Sequence, residues 1–152
     1  KKMKERIPNL ALSTDIIVGF PNESYEEFKD TVTLCQEVEY DSAFTFIYSP
    51  RYGTPAAKLE DNIEYKTKSE RFIRLVKELE KSVSASSLKM VGNIYDVLVD
   101  GISKTDDNMF SGYTECNKLV HFKGDETMVG QIVKVKILQS KTYSLIGEIV
   151  NE

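Results

Sequence analysis

The spacing of apolar residues changes once along the chain, and that change limits the fold more than any other feature. Up to about residue 87, apolar residues recur at helical spacing between short β-branched runs; from Asn93 onward they alternate. A period of about 3.6 builds amphipathic helices and a period of about 2 builds half-buried strands. The chain therefore divides into two modules of different class, α/β followed by all-β. We place them at residues 1–87 and 88–152, with the boundary within 86–92.

In the first module, Leu10–Phe20 is rich in β-branched residues and is closed by Pro21-Asn22. It reads as a strand buried on both faces that ends in a turn, as in parallel sheets covered by helices. Ser24-Tyr25-Glu26-Glu27 has the form of a capping box. Tyr25, Phe28, Val32, Cys35 and Val38 then mark one stripe of a helix from about Tyr25 to Glu39. Ala43–Tyr48 reads as a second buried strand, ending at the loop Ser49–Pro55 with its two prolines and one glycine. Strand, helix, strand is a βαβ unit, for which a right-handed crossover is expected. Asp61 or Asn62 is the expected cap of a long helix. Phe72, Leu75, Val76, Leu79 and Val83 form its buried stripe, and it stops at Gly92. Asp15 falls inside the first strand, so it is expected to be buried with a partner.

The second module offers five short strand patterns: Asn93–Val99, Gly112–Glu115, Lys118–Phe122, Gln131–Ile137 and Thr142–Val150. Glycines punctuate them. Five antiparallel strands in so short a span suggest a small closed barrel of oligonucleotide-binding type.

Composition narrows the chemistry. The 152 residues carry 20 Lys+Arg against 24 Asp+Glu, a formal net charge of −4. The longest apolar runs fall far short of the roughly 20 residues that cross a bilayer, and no signal-peptide pattern opens the chain. Two cysteines 81 positions apart exclude a disulfide scaffold and a local metal knuckle. The single histidine disfavours a His-dependent triad. The expected compartment is the cytoplasm. The opening Lys1-Lys2-Met3-Lys4-Glu5-Arg6 shows no capped first helix and is read as a chain taken from something longer and entering mid-fold, with a short basic tail on an ordinary N-terminus as the alternative.

The stretch Ser13-Thr14-Asp15-Ile16-Ile17-Val18-Gly19-Phe20-Pro21-Asn22-Glu23-Ser24 resembles a segment of the radical S-adenosylmethionine methylthiotransferases. Asp41–Ala57, running Ser42-Ala43-Phe44-Thr45-Phe46-Ile47-Tyr48-Ser49-Pro50-Arg51-Tyr52-Gly53-Thr54-Pro55, is similar to the branch that modifies tRNA. Asn117–Phe122 and Ser140–Glu148 resemble that branch's C-terminal TRAM domain. The resemblance covers essentially the whole chain. It implies the C-terminal part of a radical-SAM partial (β/α) barrel followed by an OB-like TRAM barrel. It further implies a parent enzyme that methylthiolates N6-isopentenyladenosine beside the anticodon, using S-adenosylmethionine and two 4Fe-4S clusters. The three-cysteine motif that such clusters need is absent here, and Cys35 and Cys116 match no cluster ligand. Both clusters are therefore expected to lie on the N-terminal part of the same polypeptide, with no metal site in this chain, no catalytic residue in it and no activity of its own. Asn22 stands where the family has Gly, and Asn tolerates positive φ. Tyr52 stands where the family has Pro, which is expected to loosen that loop.

Ligands gather at the C-terminal ends of strands in such barrels. Gly19, Phe20, Pro21, Asn22, Ser49 and Arg51 are thus the candidate cofactor-binding residues, with Arg51 equally suited to a tRNA phosphate or to a surface pair with Glu60 or Asp61. From residue 91 onward six Lys face nine Asp+Glu, so net charge does not announce RNA. Lys134 and Lys136 nevertheless share a strand face, and with Lys118, Lys141 and Tyr143 they form the candidate RNA-binding stripe. The expected partner is the tRNA anticodon stem-loop, with no membrane involved. Two other readings stay open: a stand-alone RNA-binding barrel, or a methylthiotransferase acting on threonylcarbamoyladenosine or a ribosomal protein.

Overall fold

The computed structural model describes residues 2–7, 9–104 and 106–150. The chain divides into two compact units, Lys1–Ser82 and Val83–Glu152.

The first unit contains α1 (Lys2–Arg6), β1 (Ser13–Val18), α2 (Tyr25–Val38), β2 (Ser42–Ile47), a 3-10 turn (Pro55–Lys58) and most of α3 (Tyr65–Leu88). The strands β1 and β2 pair in parallel, Ser13 opposite Ser42 through Val18 opposite Ile47. The capping box forms as expected: Glu27 N donates to Ser24 Oγ at 3.2 Å and Ser24 N to Glu27 Oε2 at 2.7 Å. Those bonds from Ser24 hold the Glu27 carboxyl below its ordinary value. The basic opening is not a bare tail. It coils into α1, and Lys4 Nζ caps the far end of α2 by donating to the carbonyls of Val38 and Glu39 at 3.2 and 3.0 Å. A cation there meets the negative pole of the helix.

Both helices cover one face of the sheet. Val18, Phe28, Val32, Cys35, Leu75 and Leu79 are buried together, with Ile16, Ala43, Ile47 and Phe72 packed against them. Burial pushes the Cys35 thiol up, with the Glu78 carboxylate adding to the effect. The expectation that β1 and β2 are buried on both faces is corrected here. Asp15, Ile17, Phe44 and Phe46 occupy the other face and are exposed, because nothing in the unit covers it. Asp15 is accordingly solvated and needs no buried partner. Nor do Asp61 and Asn62 cap α3. Their side chains are taken by Lys68 and Asn22, and the first turn of α3 instead closes on the Glu64 carbonyl, from Lys68 N at 3.1 Å.

The second unit is a closed barrel of five strands: β3 (Ile94–Ser103), β4 (Asp106–Thr114), β5 (Leu119–Phe122), β6 (Ile132–Ser140) and β7 (Leu145–Ile149), ordered β3-β4-β5-β7-β6. A 3-10 turn, Glu126–Met128, lies between β5 and β6. Five strands were expected, but not all antiparallel: β5 and β7 pair in parallel, His121 opposite Ile146. β3 also runs further than its alternation suggested, past a bulge between Val99 and Gly101. Val97, Val99, Val120, Phe122, Val135, Ile137 and Leu145 fill the interior, with Met90 and Phe110 at its margin.

Closure brings strand backbones close at Gly147. A Cβ there would lie 2.5 Å from Val135 Cγ1 and 2.6 Å from the Lys136 carbonyl oxygen. Gly147→Ala is expected to lower the stability of the barrel by roughly 1–3 kcal/mol, an overpacking cost. Urea denaturation followed by far-UV circular dichroism measures it. Unchanged stability would mean that β6 and β7 shift apart freely.

Candidate functional site

The C-terminal ends of β1 and β2 form the first candidate site. Gly19 has φ +70°, and a Cβ on it would sit 2.5 Å from Lys68 Cγ and 2.8 Å from Cδ. Only glycine satisfies both the backbone angle and the close approach of that side chain. Lys68 is 3% exposed. Its Nζ donates to both oxygens of Asp61 at 2.6 and 2.7 Å and lies 5.3 Å from the centre of the Tyr48 ring. Three residues further along α3, Arg71 reaches the same turn. Its NH1 donates to the Glu23 carboxylate at 2.5 Å and to the Glu23 carbonyl at 2.9 Å. The same Glu23 Oε2 accepts the Gly19 amide at 3.0 Å. Arg71 Nε is buried without a partner.

Asn22 takes φ +67°, so the substitution of Asn for Gly is accommodated as expected. It also forms a reciprocal pair: its amide donates to Asn62 Oδ1 at 3.0 Å, and Asn62 Nδ2 donates to Asn22 Oδ1 at 2.8 Å. The amides of Gly19 and Asn22 are thus used within the protein, and Pro21 has none. The turn still presents the half-exposed ring of Phe20 and main-chain carbonyl oxygens, although that of Phe20 itself accepts from Glu23 N at 2.9 Å. A ring face and hydrogen-bond acceptors are chemically compatible with an adenine, whose amino group donates and whose face is flat.

The second loop is held as firmly. Tyr48 N donates to the Val18 carbonyl at 2.9 Å, and its ring meets Phe20 edge-on at 5.1 Å. Its hydroxyl donates to the Ala56 carbonyl at 2.9 Å. Thr54 donates to the Arg51 carbonyl through both Oγ1 (2.8 Å) and N (3.2 Å), and its Oγ1 accepts from Ala57 N at 3.3 Å. Thr54 thus ties the loop across Tyr52, the position where Pro was expected. Ser49 and Arg51 are exposed. Among the described residues Arg51 makes no ion pair, since Asp61 is committed to Lys68.

No group of His, Cys, Asp and Glu among the described residues has the makings of a metal site. Cys35 lies in the core, and Cys116 Sγ is half-buried, 3.2 Å from Thr114 Oγ1. The residues present do not fit an iron–sulfur cluster.

Sequence reasoning missed Glu23, Lys68 and Arg71 and gave Asp61 a different role. A signal existed: Lys68 lies one helical turn before Phe72, Leu75 and Leu79 on the same stripe. A lysine at a core position needs a carboxylate.

On the barrel the structure breaks up the candidate stripe. Lys118 is corrected outright: it is 7% exposed, and its ammonium donates to Ser87 Oγ at 3.2 Å rather than facing solvent. Lys134 and Lys136 do project from the outer face of β6. Lys134 Nζ lies 3.4 Å from Asp96 of β3, and Lys136 is opposite Glu148 of β7. Lys141 lies in the turn between β6 and β7, where its N donates to the Ser144 carbonyl at 2.8 Å, and Tyr143 beside it is exposed. A feature not foreseen is an exposed apolar row across three strands, Tyr113, Leu98 and Ile132, in register. His121 Nδ1 is 3.0 Å from Ser103 Oγ. Burial, and then the Lys141 cation, push the His121 pKa down, against a smaller opposing effect of Asp106.

Small five-stranded barrels of this order form a class of nucleic-acid-binding modules. Residues 88–150 match the family described as TRAM domain. Over its full length the chain is 53% identical to the tRNA-2-methylthio-N(6)-dimethylallyladenosine synthase of Bacillus cytotoxicus, covering 30% of that protein. It is 54% identical over 153 residues to the enzyme of that name from Bacillus subtilis, covering 30%. With the one from Alkaliphilus oremlandii it is 49% identical, covering 32%. The chain thus spans about a third of the length of the curated relatives it matches.

Two outcomes test this geometry. Glu23→Ala leaves Arg71 buried without its counter-charge and the Gly19 amide without its acceptor. It is expected to cost the first unit about 3 kcal/mol, the scale for breaking a buried pair, as read by urea denaturation. For His121 the folded value lies below the unfolded 6.5, so the unfolded chain binds the proton more readily. Its contribution is full above that value and is lost as pH falls through the folded value. Denaturation midpoints should drop between pH 7.5 and 5.5, and His121→Asn should flatten the drop. An unchanged slope would exclude His121 as its source.

Proposed function

We propose that the chain is the C-terminal portion of a radical S-adenosylmethionine enzyme that adds a methylthio group to N6-dimethylallyladenosine in tRNA. One observation carries the reading: identity of about 50% to synthases of that name holds along the whole chain. The first unit would contribute part of the wall of a (β/α) barrel, and two of its features support this. Parallel sheets are normally covered on both faces, yet here Ile17, Phe44 and Phe46 leave one face bare. The relatives are about three times as long, enough to supply the strands that would continue the sheet. In this reading Gly19, Phe20, Pro21, Asn22, Ser49 and Arg51 line the cofactor end of the barrel.

S-adenosylmethionine, when bound, supplies the radical and methyl chemistry. This chain's part is to present the Phe20 ring and turn carbonyls to the adenine, and to keep the turn rigid from beneath with Lys68 and Arg71. The two iron–sulfur clusters would be held by other parts of the polypeptide. The compartment is the cytoplasm, where tRNA is processed.

The barrel would grip the tRNA near its anticodon stem-loop. Lys134 and Lys136 are the proposed phosphate contacts, with Lys141 and Tyr143 at the adjoining turn. Their carboxylate neighbours do not forbid this. An exposed ion pair is worth only about 0–1 kcal/mol, so a phosphate competes with Asp96 for Lys134. Lys118 is buried, with its ammonium on Ser87 of α3, and takes no part.

The experiment is tRNA affinity against salt, measured on the full-length protein. Lys134→Ala and Lys136→Ala should each weaken binding to all tRNAs alike and lower the log–log salt slope by about 1. The chain by itself should bind weakly and methylthiolate nothing. An unchanged slope in both variants would remove the proposed contact face, and methylthiolation by the chain alone would overturn the division of labour.

A further inference from the structure

The loop after β2 carries Arg51, at the rim of the proposed cofactor site, and next to it Tyr52, which that site does not use. Tyr52 is fully exposed, at 106% of its reference surface. Its neighbour Arg51 is exposed and has no carboxylate partner among the described residues. The backbone beneath them is held by the two bonds from Thr54 to the Arg51 carbonyl, by the bond from Tyr48 to Ala56, and by Pro50 and Pro55 on either side. Lone exposed aromatics are ordinary and need no explanation. An aromatic and an arginine on consecutive positions of a hydrogen-bonded loop, neither of them paired among the described residues, are less so. The surroundings favour an anion. From Ser42 to Leu59 the only charged residues are Arg51 and Lys58, both cationic.

We infer that Tyr52 and Arg51 form a clamp for an unpaired nucleotide of an RNA loop, Tyr52 stacking on the base and Arg51 pairing with a flanking phosphate. The inference rests on the reading of tRNA as substrate. The chemistry matches its parts: a flat ring accepts any base face, and a planar guanidinium donates two parallel bonds to a phosphate. The rigid loop limits the ordering cost of binding. Duplex RNA keeps its bases stacked inside and offers Tyr52 nothing, so the clamp selects single-stranded segments.

The test uses the full-length protein and two RNAs, an anticodon stem-loop hairpin with 2-aminopurine in the loop and a blunt duplex of the same stem. Tyr52→Ala should weaken hairpin binding about tenfold, within the range for losing one stacked base, and should leave duplex binding unchanged. Tyr52→Phe should bind the hairpin like the wild type. The wild type and Tyr52→Phe should quench 2-aminopurine at one loop position, whereas Tyr52→Ala should not. Since Tyr52 touches nothing that holds the fold, circular dichroism of all three should coincide. Hairpin binding by Tyr52→Ala equal to wild type, or an equal loss on duplex and hairpin, would overturn the clamp while leaving tRNA as substrate. Failure of the wild type itself to bind the hairpin would overturn both.

Discussion

The first unit depends on two buried cations that α3 sends under one turn. Arg71 and Lys68 are both largely removed from water, and each would be prohibitively costly there alone. Each is compensated: Arg71 by two contacts with Glu23, Lys68 by both oxygens of Asp61 and the face of Tyr48. Glu23 in turn receives the Gly19 amide, so one carboxylate joins the end of β1, the start of α2 and the body of α3. Buried pairs of this kind add little net stability against an apolar replacement. What they add here is definition. Glu23 holds the Gly19 amide and Arg71, Asp61 holds Lys68, and Asn62 holds Asn22, so the Gly19–Asn22 turn is tied by the protein's own side chains at both ends.

The barrel uses charge differently. It is acidic in sum, yet the outer face of β6 presents Lys134 and Lys136 beside the apolar row of Tyr113, Leu98 and Ile132. An RNA meets a local surface, not a net charge, and a face that mixes cations with apolar groups, one of them the Tyr113 ring, suits phosphates and bases together. Pairing with Asp96 and facing Glu148 keep those lysines modest in attraction. That favours a partner already oriented by other contacts over indiscriminate capture of nucleic acid.

Most of the architecture was legible because it rests on local chemistry. The period change pointed to two modules of different class, although the compact units divide at Ser82/Val83, inside α3 and ahead of the expected 86–92; the Ser24–Glu27 box marked the start of α2, and Asn22 could be read as a residue at ease with positive φ. What failed depended on tertiary context. Alternation in β1 and β2 was hidden by apolar residues on both faces, so Ile17, Phe44 and Phe46 looked buried when only one face is covered. Lys118 looked like a surface cation on an exposed strand, but it lies at the strand's entry, where its stem runs inward to Ser87. Asp61 and Asn62 looked like helix caps because capping is their commonest local role. Partners distant in sequence, Lys68 and Asn22, claimed them instead. The site was half legible for the same reason: the turn residues announced themselves, whereas the cations that hold the turn could be found only by asking why a lysine stands on an apolar stripe.

The central claim is that these two units belong to an enzyme that methylthiolates tRNA. The direct measurement is nucleoside analysis by mass spectrometry. tRNA carrying N6-dimethylallyladenosine is incubated with the full-length protein, its clusters reconstituted, together with S-adenosylmethionine and a reductant. The account predicts conversion to the 2-methylthio nucleoside, lost when the tRNA lacks the dimethylallyl group. Unmodified nucleoside recovered from tRNA that the protein demonstrably binds would contradict it, and would leave a barrel that holds RNA without acting on it.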